Sequence, residues 1–146
     1  MLGLIFAAVQ LVPVDRSAPP AEGELAAPPA VGRILDAACY DCHSNRTRWP
    51  WYSRIAPISW IVVRHVAAAR RRLNFSDWSD YASDPGTLTR KLDEIRSSIA
   101  DGSMAPWYYR MLHREARLSA ADRRAIALWV TGAAAHPGEA AALKAK

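Results

Sequence analysis

Apolar residues recur along this chain at helical spacing. Val31, Ile34, Leu35 and Ala38 form one stripe and predict a helix from about Ala30 to Cys42. Pro28-Pro29 stand before it, where prolines are tolerated at a helix start. Ile58, Ile61, Val62, His65, Val66 and Ala69 fall on one face and predict a second helix over Pro57 to Leu73. Its last turn, Arg70-Arg71-Arg72, suits the negative end of a helix dipole. Asn74 to Trp78 reads as a turn with two apolar anchors. Ser83-Asp84-Pro85 is a cap followed by a first-turn proline, and Leu88, Leu92, Ile95 and Ile99 are the buried stripe behind it. Gly102 suits the end of that helix. A shorter helical stretch carries Met111. A last helix starts at Ser119, with Asp122 completing a capping-box-like pair and Leu118 stapling the entry. Ile126, Trp129, Val130 and Ala133 form its inner face, and His136-Pro137-Gly138 ends it. No strand alternation or internal repeat is present, so the expectation is an all-α bundle of about five helices.

The two ends of the chain read differently from this middle. Met1 to Val14 is apolar apart from Gln10 and Pro13. The run is too short for a comfortable membrane span. It matches the apolar core of an export signal but lacks the basic residues that precede one. Residues 1–14 are therefore expected to be an export signal or membrane anchor, the alternative being a strand or core helix. Residues 15–29 carry Pro19, Pro20, Pro28 and Pro29 among Ala, Glu and Gly. Paired prolines forbid helix and favour an extended spacer, which would hold a domain over 30–135 off a membrane surface. The alanine-rich residues 136–146 read as a frayed tail. A length of 146 residues leaves room for one domain.

Composition sharpens the picture at one point. The chain has two cysteines, and both lie in the phrase Cys39-Tyr40-Asp41-Cys42-His43-Ser44-Asn45. Cys-x-x-Cys-His is the attachment signal of a c-type haem. Positions i and i+3 share a helix face, so Cys39 and Cys42 can each reach one vinyl group of the same porphyrin, and His43 can offer a neutral imidazole to the iron. Three other chemistries compete. A thioredoxin-like pair wants a βαβ setting, a zinc site wants four ligands from separated segments, and a structural disulfide needs only the two thiols. Six Trp and five Tyr suit a protein that wraps one flat aromatic cofactor. The net charge is +5, which two haem propionates would bring to about +3. That balance suits an acidic redox partner. The scattered arginines match no nucleic-acid module, so nucleic acid is not an expected partner.

Several residues outside the motif could serve the same cofactor. In Arg46-Thr47-Arg48-Trp49-Pro50-Trp51-Tyr52-Ser53, Trp49 or Trp51 could donate an indole N–H to a propionate, with Arg46 or Arg48 pairing its charge. The competing role for this stretch is a lid on the core. His65, in the middle of an apolar face, is either a hydrogen-bonded core residue or a second iron ligand. Met104 sits in the loop Asp101-Gly102-Ser103-Met104-Ala105-Pro106-Trp107. A thioether there is a soft ligand for iron opposite a histidine; the alternative is a gap-filling core methionine. Met111 reads as packing, and His113 as a propionate partner or a solvated side chain.

Asp15 to Val130 resembles the bacterial haem-binding domain family of monohaem c-type cytochromes. The phrases that carry it are Cys39 to Asn45, Trp49-Pro50-Trp51-Tyr52-Ser53, Ala56-Pro57, Ser59-Trp60, His65-Val66, Leu73-Asn74-Phe75-Ser76 and Met104 to Leu118. The resemblance implies an all-helical cytochrome c-like fold around one covalent haem c, export to the periplasm or the outer face of the cytoplasmic membrane, and electron transfer. The Met104 loop is similar to the Met-Pro ligand loop of class I cytochromes c, except that Ala105 separates Met104 from Pro106. Two functions follow. In the first, His43 and Met104 fill both axial positions of an electron carrier, with a redox protein as donor and another as acceptor. In the second, an open or His65-ligated sixth position makes a haem enzyme or a gas or redox sensor.

Overall fold

The computed structural model describes residues 1–21 and 23–135. They form eight α-helices: α1 (Leu2–Val9), α2 (Pro29–Ala38), α3 (Tyr40–His43), α4 (Ile58–Arg72), α5 (Trp78–Ala82), α6 (Pro85–Ala100), α7 (Trp107–Leu112) and α8 (Ala120–Ala135). Single 3-10 turns occupy Trp51–Arg54 and Arg114–Ala116. Among the described residues there is no strand, and one isolated bridge joins Gly23 to Asp77. The fold is all-α, as the periodicity predicts.

Eight helices rather than about five arise in three places. The expected first helix breaks at Cys39, whose φ of −125° and ψ of −41° leave the helical region, so α2 and α3 meet at an angle. The break turns Tyr40 inward, where its ring meets Phe75 at 5.3 Å. The turn at Asn74–Trp78 leads directly into the short α5, and the apolar N-terminal run forms α1.

The core lies between α6 and α8, closed by α2 and α5. Leu88, Leu92, Ile95 and Ile99 of α6 meet Ile126 and Val130 of α8, with Leu35, Phe75 and Trp78 completing the layer. Each fully buried side chain of this kind stabilises by about 1.5–3 kcal/mol. Phe75 stacks on Trp78, which in turn meets Trp129 at 6.2 Å. Both helices are capped. Asp84 accepts from the Thr87 N–H at 2.9 Å. Ser119 Oγ accepts from the Asp122 N–H at 3.1 Å while Asp122 accepts from the Ser119 N–H at 2.8 Å, the reciprocal box.

The linker is extended, but it does not stand off the domain as a spacer would. Arg16 donates to the Ser53 carbonyl, Asn45 donates to that of Pro20, and the Leu25 N–H donates to the Phe75 carbonyl at 2.9 Å. Leu25 is buried in the core cluster, so a single apolar side chain pulls the strap down. The helix α1 buries none of its residues. At its end the Gln10 amide brackets Ala56, donating to its carbonyl at 3.2 Å and accepting from its N–H at 2.9 Å. No helix among the described residues is long and apolar enough to cross a membrane. The tail expected over 136–146 lies outside the described residues.

Candidate cofactor site

The helix α4 packs on α3 and on the Trp51–Arg54 turn, and part of its apolar face looks onto a cavity together with Tyr108 and Tyr109 of α7. The cavity has a volume of about 310 Å³, within the roughly 300–1,000 Å³ of small-molecule and cofactor pockets. Leu35, Ala69, Phe75, Ile95, Ile99 and Ile126 are among the apolar residues of its wall. Cys39, Cys42 and His43 open onto it together. His65 and Met104 line it too.

The short α3 presents the motif as one turn. The N–H groups of Cys42 and His43 both donate to the Cys39 carbonyl, and the Phe75 N–H donates to that of His43 at 2.7 Å. Ser44 is buried and its hydroxyl donates to the Tyr40 carbonyl at 2.8 Å. The two cysteines are unpaired thiols. Burial, with the neighbouring Cys42 adding to it, pushes the Cys39 thiol up to about 12. Burial and the Asp41 carboxylate push Cys42 up to about 11. Both therefore stay protonated at neutral pH, the opposite of the lowered thiol of a disulfide-exchange site. Among the described residues no group of three or more His, Cys, Asp or Glu could hold a metal ion.

Burial holds the His43 imidazole below its usual range, so the ring is neutral. Its Nδ1 lies 2.9 Å from the Leu73 carbonyl. A carbonyl can only accept, so Nδ1 carries the proton and Nε2 keeps the free lone pair that a metal needs. Apolar walls, two protonated thiols three residues apart and one oriented neutral imidazole suit a haem.

The residues proposed for the propionates from their nearness in sequence are elsewhere. Trp51 is 73% exposed and meets Tyr52 edge-on, and Trp49 is half-buried off the cavity wall. Arg46 pairs with Glu24 and lies over the Tyr40 ring at 5.2 Å. Arg48 pairs with Asp36 and Asp41. Acidic neighbours thus capture both guanidiniums before they can reach the cavity. The lysine or arginine that does line the wall is Arg72, loosely paired at 3.9 Å with Glu94. It belongs to the run that reads as a solvated helix end, and periodicity alone gave no sign of it.

Met111 is 65% exposed, so it does not pack as expected. His113 is neither solvated nor on the cavity wall. Its Nε2 lies 2.8 Å from the Tyr52 hydroxyl, its Nδ1 3.0 Å from Glu115, and its ring stacks on Tyr109. His65 is exposed on the cavity side, with the Tyr108 hydroxyl 3.4 Å from its Nδ1. Asp41, Tyr108 and Tyr109 also line the cavity. They carry no periodic or motif signal beyond Asp41 lying between the cysteines.

A helical domain with an apolar cavity, walled in part by a Cys-x-x-Cys-His turn, fits a haem protein. The Haem-binding domain family model matches residues 4–132, and the chain belongs to that family. No curated protein and no solved structure matches it.

Proposed function

We propose that the protein is an exported monohaem c-type cytochrome that passes single electrons between redox proteins. The observation that carries this reading is the shared cavity wall of Cys39, Cys42, His43 and Met104. Cys39 and Cys42 would hold the haem through two thioethers, and His43 Nε2 would take one axial position. Met104, reaching the wall from a loop, would take the other. Arg72 would pair with a haem carboxylate. Haem would supply one-electron chemistry at its iron, and His43 and Met104, as the residues holding that iron, would keep substrate from it. The surrounding apolar residues exclude water and so help to set the potential.

Export and tethering rest on the apolar α1, none of whose side chains is buried. The acidic partner implied by the net positive charge would be the redox donor or acceptor.

A second reading has one observation in its favour, the His65–Tyr108 pair on the cavity wall. In a haem enzyme or gas sensor that pair would face an open sixth position and move protons there. An absorption spectrum of protein matured in an exporting host separates the two. Low-spin bands in both oxidation states, with the weak near-infrared band of methionine–iron bonding and no response to carbon monoxide, are expected. High-spin bands that shift with carbon monoxide or cyanide would replace the carrier with the sensor or enzyme.

A further inference from the structure

The helix α7 has little to hold it by itself. It is six residues long, has no side-chain cap and buries none of its residues. Isolated helices of that length do not persist in water. Its fixed points are therefore side-chain contacts; besides the Tyr108–His65 pair and the bond from Arg117 Nε to the Arg110 carbonyl, they meet at Tyr109. The Tyr109 hydroxyl donates to Asp41 Oδ2 at 2.8 Å. The Tyr109 ring lies parallel to the His113 imidazole, with centroids 4.0 Å apart and planes within 5°. His113 is held in turn by Glu115, which accepts from Nδ1, and by the Tyr52 hydroxyl at Nε2.

The far end of the bond is equally constrained. Asp41 stands between Cys39 and Cys42, inside the turn that carries His43. Its other oxygen, Oδ1, accepts from both the backbone N–H and Nε of Arg48, each at 3.1 Å. The carboxylate cannot swing without giving up Arg48, and the residue cannot shift without moving the cysteines. One side-chain hydrogen bond thus joins the Cys-x-x-Cys-His turn to the segment that delivers Met104, five residues before Tyr109.

We propose that Tyr109, braced by Asp41 and His113, is the positioning residue that keeps the Met104 segment against the cavity. This rests on the reading of Met104 as the axial ligand. Met104 itself has one further tie on its N-terminal side, a long bond of 3.3 Å from its N–H to the Ser98 carbonyl. Loss of the Tyr109 hydroxyl frees the C-terminal side of the loop while leaving the ring, its stack and the haem-attachment residues in place. Met104 then leaves the iron more often, and the opened position becomes available to an added ligand.

The test is titration of the ferric holo-protein with imidazole, followed in the visible spectrum. Tyr109→Phe is expected to raise the apparent imidazole affinity about 10- to 100-fold, the range spanned by hydrogen bonds to a charged group. Asp41→Asn moves it in the same direction, and the double variant adds little to either. Asp84→Ala, which loosens the start of α6 at the opposite end of that 16-residue helix from the loop, should leave the titration unchanged. An affinity raised equally in Asp84→Ala would mean general loosening and overturn the proposal. So would a Tyr109→Phe titration that overlays the wild type while Met104→Ala binds imidazole readily. If Met104→Ala titrates like the wild type, the axial assignment itself has failed, a result distinct from failure of the Tyr109 brace alone.

Discussion

Helices α4 and α6 are nearly the same length, 15 and 16 residues, and both carry a clear apolar stripe. They use it in opposite ways. The helix α6 buries Leu88, Leu92, Ile95 and Ile99 against α8 and α5. Of the apolar residues on α4 only Val66 is buried, while Ile58 and Ile61 are exposed and His65, Ala68 and Ala69 face the cavity. A sequence stripe therefore reports that a helix face wants an apolar partner, without saying whether that partner is protein. On α6 the partner is chiefly the rest of the chain, with Ile95 and Ile99 also reaching the cavity wall. On α4, besides its packing on α3, it is the space beside the Cys-x-x-Cys-His turn, which Tyr108 and Tyr109 of α7 also line.

The largest effect should come from removing attachment. Cys39→Ser with Cys42→Ser is expected to yield no haem that survives denaturation, measured by mass, because the chain has no other cysteine. In that haem-free chain, amides of α4 and α7 should exchange with solvent before those of α6 and α8, which pack chiefly on each other. Uniform exchange across all four helices would erase the contrast between the two halves. Denatured double variant that retained haem would refute covalent attachment.

Next comes the choice of axial ligand, which decides how α7 and α4 share the cavity. Met104→Ala should open the iron to carbon monoxide and lower the potential, since methionine ligation raises it. His65→Phe should preserve the methionine–iron band. The reverse pattern, with His65→Phe opening the iron and Met104→Ala silent, would make α4 the ligand-bearing helix and the protein a bis-histidine cytochrome.

Paired truncations sharpen the comparison on the scale of stability. Leu92→Ala on α6 should cost about 2–5 kcal/mol, as expected for a fully buried leucine. Ile61→Ala on α4 removes a side chain that is 54% exposed and should change stability by no more than about 0.5 kcal/mol. Denaturant unfolding of the haem-free variants measures both. Equal losses would place Ile61 in a packed interface after all.

These differences also mark what was legible in the sequence. The α6 and α8 stripes, the Ser119–Asp122 box and the all-helical class could be read because local spacing and the final packing agree. The break at Cys39 could not, since no proline or glycine marks it and Tyr40 turns inward for the sake of Phe75, 35 positions later. Nor could Leu25 be seen as the residue that pulls a proline-rich strap onto the core. At the site, the Cys39–His43 turn was legible as a local motif, and the structure brings it to one cavity with Met104 and His65. Trp49, Trp51 and Arg46 were proposed from nearness in sequence, and long-range pairing with Glu24, Asp36 and Asp41 decides where that stretch lies. Arg72 and Tyr109 reach the cavity only through tertiary contacts, which leave no periodic trace.

The smallest effect tests whether the packed half is independent of the cavity half. Ser119 caps α8 by accepting from the Asp122 N–H, and its hydroxyl also donates to the Asp122 carboxylate at 2.7 Å. Ser119→Ala leaves one of the first-turn N–H groups of α8 without its side-chain partner, a loss of about 1 kcal/mol. The helix carries Ile126 and Val130 into the core, so the loss should appear in global unfolding. Of those two, Ile126 also touches the cavity wall, yet it lies more than a turn beyond the cap, where a frayed first turn does not reach. The destabilisation should therefore be the same in the haem-free and haem-loaded protein, read from denaturant midpoints at constant slope. A loss confined to one of the two forms would show that the cap and the cavity are coupled, and that α8 belongs to the cofactor-dependent half.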